Sequence, residues 1–336
     1  MESIYSDSFD QISSEKALDT EHRKKINFNI GKYNAVVPKG KSQFVDLEKV
    51  RSQAKNIKWE AIEHLDLYLT QFEEQITKRG AKVFWAEDSE QALDFIGAIC
   101  KEKECKTLVK SKSMVTEEIH LNAYLESIGV ESVETDLGEY IQQLDGEAPY
   151  HIVTTAMHKS KEDVAKLFAE KLGTDINMTP EEMTLVARRN LREKYVQAEI
   201  GVTGANFILA DIGGIALTEN EGNGIMSVAF PKVHIVIGGI EKVIPTLSDL
   251  GTIWPILSQF GTGQQLTVYN SIFTGPKKEN EEDGPEHMYV ILLDNGRSKL
   301  HQTTPQNEAL KCIRCGACLN VCPIYKNIGG HAFHTP

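Results

Sequence analysis

No apolar run in this sequence approaches the ~18 residues that a bilayer-spanning helix needs, so direct membrane insertion is not expected and any membrane association would go through partners. The start, "MESIYSDSFDQISSEK", has neither the basic nor the apolar region of a signal peptide. Positive charge is short as well. Lys and Arg number 36 against 48 Asp and Glu, a net charge of -12, which argues against a nucleic-acid or anionic-membrane partner. No internal repeat is present. These absences leave a cytoplasmic protein, and 336 residues with 41% hydrophobic content suffice for one large α/β domain or two smaller ones.

Cysteine is scarce, with six in the chain, yet four fall inside "CIRCGACLNVCP". Cys312, Cys315, Cys318 and Cys322, followed by Pro323, spell C-x2-C-x2-C-x3-C-P, the run by which bacterial-type ferredoxins hold a [4Fe–4S] cluster. Gly316 and Ala317 are small enough to let the main chain wrap a cubane. A disulfide framework would suit a short secreted chain. Structural zinc sites usually separate two C-x2-C knuckles by a dozen or more residues, whereas the gaps here are two, two and three. The fourth thiol has two readings. Cys322 closes this cluster, or it serves a second cluster whose other ligands would need a second run, which this sequence does not contain; the ending "NIGGHAFHTP" reads as an interrupted chain. Cys100 and Cys105 read as buried bystanders.

The first forty residues are polar and read as an extended or loosely docked arm. Apolar spacing from Asp46 to Arg79 predicts a helix ending at Gly80. Strands are then predicted at "AKVFWAE", "KTLVKS", "VESVETD" and "YHIVTTA", with a helix over 116–128 between the second and third. "KSKEDVAKLFAEKLG" opens with Ser160 and Asp163 in capping-box spacing, and "TPEE" offers Thr179, Pro180 and Glu182 for another helix start. After Gly201 the texture is Gly-rich β, through "ANFILADIGGIALTEN", "GIMSVAF" and "KVHIVIGGI", before a helix around 242–259 and strands "LTVYNSIF" and "YVILLD". The acidic stretch 277–286 reads as a solvated hairpin loop. Strands alternating with helices predict a mostly parallel sheet flanked by helices, α/β in class.

Open α/β sheets bind ligands at strand ends. "KSKS" puts Lys110 and Lys112 beside Ser111 and Ser113, where a carboxylate or phosphate could be received, or where an ordinary basic loop could lie. His158 follows a predicted buried strand and could act as a general base or cap a helix. "GVTGANF", with Asn206, exposes glycine amides but is no G-x-G-x-x-G. In "TENEGNG", Glu219, Asn220, Glu221 and Asn223 could bind a polar ligand, while Asn220 and Gly222 equally suit a tight turn.

"KSKSMVTEEIHLN", "LGEYIQQL", "HIVTTAMHKS", "GVTGANFILADIGGIALTENEGNG", "PKVHIVIGGIEKVIPTLSDL" and "ALKCIRCGACLNVCPIYKNIGGHA" together resemble the iron–sulfur subunit family of bacterial lactate utilisation, the lactate-utilisation protein B family. The resemblance runs from about residue 40 to 332. It implies a lactate-utilisation (LUD) domain, similar to NagB/RpiA/CoA-transferase-like proteins, over 41–300, with a ferredoxin-type 4Fe-4S segment over 301–336. It also implies partner subunits that together oxidise L-lactate to pyruvate, and a second cysteine run beyond GGHA that is absent here. On this reading the chain is an electron carrier and its pocket takes a small anion such as lactate. Lys110, Ser111, Lys112, Asn206 and Asn223 are its expected ligand-binding residues, and His158 and Glu219 its catalytic candidates. Two alternatives stay open: a transferase-like enzyme acting on an anionic small molecule, and a scaffold stapled by a structural cluster.

Overall fold

A computed structural model describes residues 3–332, with side chains described from Phe9 onward. Its centre is a six-stranded sheet built from β1 (Lys82–Ala86), β2 (Thr107–Lys110), β3 (Glu131–Glu134), β4 (Ile200–Gly204), β7 (Val233–Gly239) and β10 (His287–Leu293). The order is β1-β10-β7-β4-β2-β3 and every pairing is parallel. Parallel pairing demands crossovers and coverage of both faces, and the strand sequences meet that demand. In β7, "VHIVIGG", all seven residues are buried. Ile235, Ile237 and Ile291 pack on the helix Ser89–Glu102, while Val236, Val290 and Leu292 pack on the helix Leu65–Thr77.

A second sheet of four strands, β8-β5-β6-β9, lies against that latter face. It comprises β5 (Phe207–Leu209), β6 (Gly214–Glu219), β8 (Val243–Ile244) and β9 (Tyr269–Phe273). Its outer side packs Phe207, Leu209 and Ile244 on Ile253 and Leu257 of the helix Leu250–Thr262. The α/β architecture with a parallel sheet flanked by helices is the one the alternating pattern predicts.

Both capping boxes form: Ser160 with Asp163, and Thr179 with Glu182, with Pro180 in the first turn of the second helix. Other expectations are corrected. The N-terminal residues are helical rather than extended, in two helices, Ser3–Leu18 and Thr20–Lys41. The second buries His22, Ile26 and Ile30, at a spacing of four, against Tyr150, Leu319 and Tyr325; a stripe that narrow is masked by the polar residues around it. Residues 1–2 and 333–336, including the end of "NIGGHAFHTP", lie outside the described residues.

The segment "YHIVTTA" is not a strand. Its His151 Nδ1 accepts backbone N–H bonds from Val153 (3.0 Å) and Thr154 (3.1 Å), which folds the chain into a turn, and its apolar side chains Tyr150 and Ile152 face the C-terminal segment instead of a sheet. "GIMSVAF" is helical, Asn223–Ala229, because Glu219 caps it, accepting from the backbone N–H of Gly224 (2.6 Å) and Ile225 (2.9 Å). The two long helices of the sequence reading are each broken, at His64 and around His120, where His120 takes a left-handed φ of 53°. The 242–259 helix starts later, at Leu250. The stretch 277–286 is exposed but joins β9 to β10 across two sheets, so it is a connection rather than a hairpin.

Candidate functional site: a cavity between the sheet end and the cysteine loop

The C-terminal ends of β2 and β4 open onto a cavity of ≈ 270 Å³, the place where an open parallel sheet presents ligand sites. Ser111, Lys112, Asn206, Glu219 and Asn223 line it, so five of the seven pocket residues expected from sequence are brought together. Glu219 is held by the start of the helix Asn223–Ala229. With its amide oriented by its neighbours, Asn223 donates to Glu219 (2.7 Å) and accepts from the Asp136 backbone N–H (3.3 Å). Asn206 accepts from the Thr218 N–H (2.9 Å), which sets the β5–β6 hairpin on the cavity wall.

Two expected residues are elsewhere. Lys110 is fully buried beside the cavity, and its ammonium meets Glu134 (2.7 Å), Glu117 (2.9 Å) and Glu139 (3.9 Å). Burial works against its charge, but the three carboxylates outweigh burial and raise its pKa above the ordinary lysine value. With its charge already matched, Lys110 is a structural cation. His158 stacks on Tyr150 (centroids 4.3 Å apart) and bonds Glu147 (2.9 Å), away from the cavity lining. Burial lowers its pKa to about 4, against the opposing pull of Glu147.

Four further charged residues line the cavity, and of these only Glu221 has a ligand-binding reading from the sequence. Asp136 and Lys242 follow strands β3 and β7, a position that could have marked them. Glu221 accepts from the Leu137 N–H (3.1 Å) at the cavity rim, and desolvation together with Asp136 pushes its pKa up to about 7. Desolvation likewise raises Glu219, with the two N–H bonds from Gly224 and Ile225 opposing. The fourth is Arg314, inside the cysteine run itself, and Cys315 stands beside it on the same wall.

The cysteine loop is seated by packing. Cys315 and Ile313 pack on the cluster that contains Ile253, Ile256 and Leu257 of the helix Leu250–Thr262. Gly316, at a left-handed φ of 75°, presses on Ile152 and Val153, where a Cβ would come within 3.1 Å of both side chains. Among the described residues no three of the four thiols come within 4.8 Å of one another, the spacing for a single shared ion. All four are free, two exposed and two half-buried. The Cys312 sulfur accepts from the Arg314 N–H (3.4 Å) and the Cys322 sulfur from the Tyr325 N–H (3.5 Å). Four soft sulfur donors on a turning backbone, with backbone N–H groups directed at two of them, form a donor set that suits an iron–sulfur cluster. Cys100 and Cys105 are buried in the main core, remote from this segment.

Fold and cavity together define an α/β domain whose sheet-end cavity is walled in part by a C-terminal cysteine loop. The family model of the LUD domain matches residues 69–293, and the chain belongs to that family. It is 46% identical over 287 residues to lactate utilization protein B of Anoxybacillus flavithermus, covering 85% of this chain and 61% of that one. Against lactate utilization protein B of Bacillus pumilus the values are 47%, 85% and 60%. The chain thus spans about 60% of the length of the curated relatives it matches. A solved DUF162 family protein from Deinococcus radiodurans is 14% identical, covering 68% of this chain and 98% of its own, with a TM-score of 0.38. Among the described residues no helix is long and apolar enough to cross a membrane.

Proposed function

We propose that this chain is an iron–sulfur electron carrier of a lactate-utilisation system, with a [4Fe–4S] cluster held by Cys312, Cys315, Cys318 and Cys322 and a small anionic substrate received in the adjoining cavity. The observation that carries this reading is the shared wall: Arg314 and Cys315 of the cysteine run line the same cavity as Lys112, Glu219 and Asn223 of the LUD domain. The names of the relatives supply the substrate and the system.

Such a cluster, when bound, supplies one-electron transfer. Lactate oxidation releases two electrons and two protons, so a second redox centre, on a partner subunit of the system, is part of the proposal. The chain's own residues do the rest. Lys112, whose ammonium donates to the Val153 carbonyl (2.7 Å), keeps positive charge at the strand end. Asp136, Glu219 and Glu221 form an acidic side of the cavity, and Glu221, pushed up to about 7 by desolvation and Asp136, can hold a proton near neutral pH. The helix Leu250–Thr262 and the Ile152–Val153 turn exclude water by packing on the cysteine loop.

Anaerobic reconstitution with iron and sulfide, iron counting and EPR of the reduced protein test the reading, alongside a Cys322→Ser variant. About four irons per chain and a reducible signal that the substitution abolishes or alters are expected. Little or labile iron in both proteins would refute the electron-carrier role for this chain.

A further inference from the structure

Lys242 is 5% exposed and lines the cavity. Among the described residues its one ion-pair partner is Glu241, at 4.0 Å, and Glu241 is itself engaged by the Arg297 guanidinium. A buried ammonium without close hydrogen-bond partners is costly. Its neighbour on the wall, Arg314, adds a second positive charge that disfavours the ammonium further. The Ser111 hydroxyl, 3% exposed and also on the lining, has no hydrogen-bond partner. Two cationic residues and a serine with an orphaned hydroxyl thus line one small space.

The remaining charged lining decides what fits. Asp136, Glu219 and Glu221 are acidic, and Lys112 already acts electrostatically on Glu221. The least-matched positive charge is therefore that of Lys242 and Arg314, which share the Glu241 carboxylate with Arg297 and Lys58, while a second negative charge on the ligand would meet carboxylates. A volume of ≈ 270 Å³ admits a compact organic acid and is small for a dinucleotide.

We propose that this cavity binds a small monocarboxylate whose carboxylate is held between the Lys242 ammonium and the Arg314 guanidinium, with the Ser111 hydroxyl as a further donor, so that the cysteine loop is part of the ligand site. The inference deepens the reading of the cavity as the substrate site and rests on it. Arg pairs with carboxylates through its fork of donors, and charge-assisted bonds of this kind strengthen away from bulk water. By linkage, an occupant touching Arg314 also favours the seated conformation of the loop that carries Cys312 and Cys315.

The test is calorimetric titration of the reconstituted 336-residue chain with L-lactate, propionate and the neutral amide of lactate. L-lactate and propionate are expected to bind and the amide to fail. Lys242→Met and Arg314→Gln should each weaken L-lactate binding about tenfold or more, and Ser111→Ala less. Lys242→Met should keep its iron content and unfold at a higher temperature than the parent, since an uncompensated buried charge is removed. A Lys242→Met protein with altered iron content but undiminished lactate affinity would show that Lys242 serves the cysteines alone, and would overturn the proposal. So would a wild-type chain to which neither acid binds. Should Lys242→Met fail to fold, Arg314→Gln and Ser111→Ala decide the matter by the same criterion. Carboxylate binding by a parent chain that takes up little or only labile iron would refute the electron-carrier role and leave this inference standing, whereas normal iron and EPR without carboxylate binding would do the reverse.

Discussion

The Lys110 ammonium lies 2.7 Å from the Glu134 carboxylate in the interior of the molecule, the lysine fully buried and the glutamate 3% exposed. The pair joins neighbouring strands of the central sheet, since Lys110 and Glu134 are register partners in β2 and β3. Glu117 and Glu139 complete the shell, and the Thr116 hydroxyl accepts from the ammonium at 2.8 Å.

Replacing Lys110 by Met would leave three carboxylates around an uncharged stem. A loss of about 3–5 kcal/mol in unfolding free energy is expected, measured by urea denaturation. Protonation should follow: Glu139, already raised well above the ordinary carboxylate value by burial and by Glu134, loses the cation that opposes the rise. A variant as stable as the parent would show that the network carries no net structural load.

The seat of the C-terminal segment depends on close approach. At Gly330 an added Cβ would fall on the Tyr150 carbonyl oxygen, and at Gly329, φ 73°, on the Tyr150 ring. Gly330→Ala should therefore loosen the segment, read as faster limited proteolysis near residue 320 and, in reconstituted protein, poorer iron retention. Gly31 is the matched control. A Cβ there meets nothing within 4 Å in the helix Thr20–Lys41, so Gly31→Ala should stabilise by about 0.5–1 kcal/mol.

Stability should fall as the solution is acidified through the histidine range. His158 is held neutral, its folded pKa lowered by burial from 6.5 to about 4, so between those values the unfolded chain takes up a proton that the folded chain refuses. The contribution is complete above pH 6.5, declines toward pH 4 and is constant below. Glu147, Lys159, His331, Tyr150 and the nearby His22 face this ring. His22, lowered by burial to about 4, adds a decline of the same sign. His158→Gln should flatten the pH 4–6.5 slope by roughly one proton, about 1.4 kcal/mol per pH unit, in denaturation midpoints taken across that window. An unchanged slope would mean that His158 is protonated in the folded protein.

Thr179 receives the Glu182 N–H at 3.2 Å while Glu182 receives the Thr179 N–H at 2.8 Å. Thr179→Ala should cost about 1 kcal/mol by thermal denaturation, with iron content and carboxylate binding unchanged because the helix start lies outside the cavity lining.

Local signals in the sequence determined a good part of the result. Capping at Ser160 and Thr179 depends on side chains three residues apart, and the all-buried strand "VHIVIGG" reports two-sided coverage through its own composition. The cysteine spacing and the cluster of polar residues at Ser111, Lys112, Glu219 and Asn223 are similarly local. Tertiary structure decided what depends on partners distant in sequence. Lys110 and Lys112 are two residues apart and look alike in "KSKS", yet Lys110 ends the strand β2 beside its register partner Glu134, inside the carboxylate shell, whereas Lys112 lies past the strand end and lines the cavity. "YHIVTTA" has the composition of a strand, but its apolar residues are used by Ile26 and Tyr325, from the two ends of the chain. Lys242 and Arg314 come to line one cavity only because packing of the cysteine loop on the cluster around the helix Leu250–Thr262 carries Arg314 to the sheet end, and the charge balance of a cavity is a property of the folded surroundings that no single stretch of sequence contains.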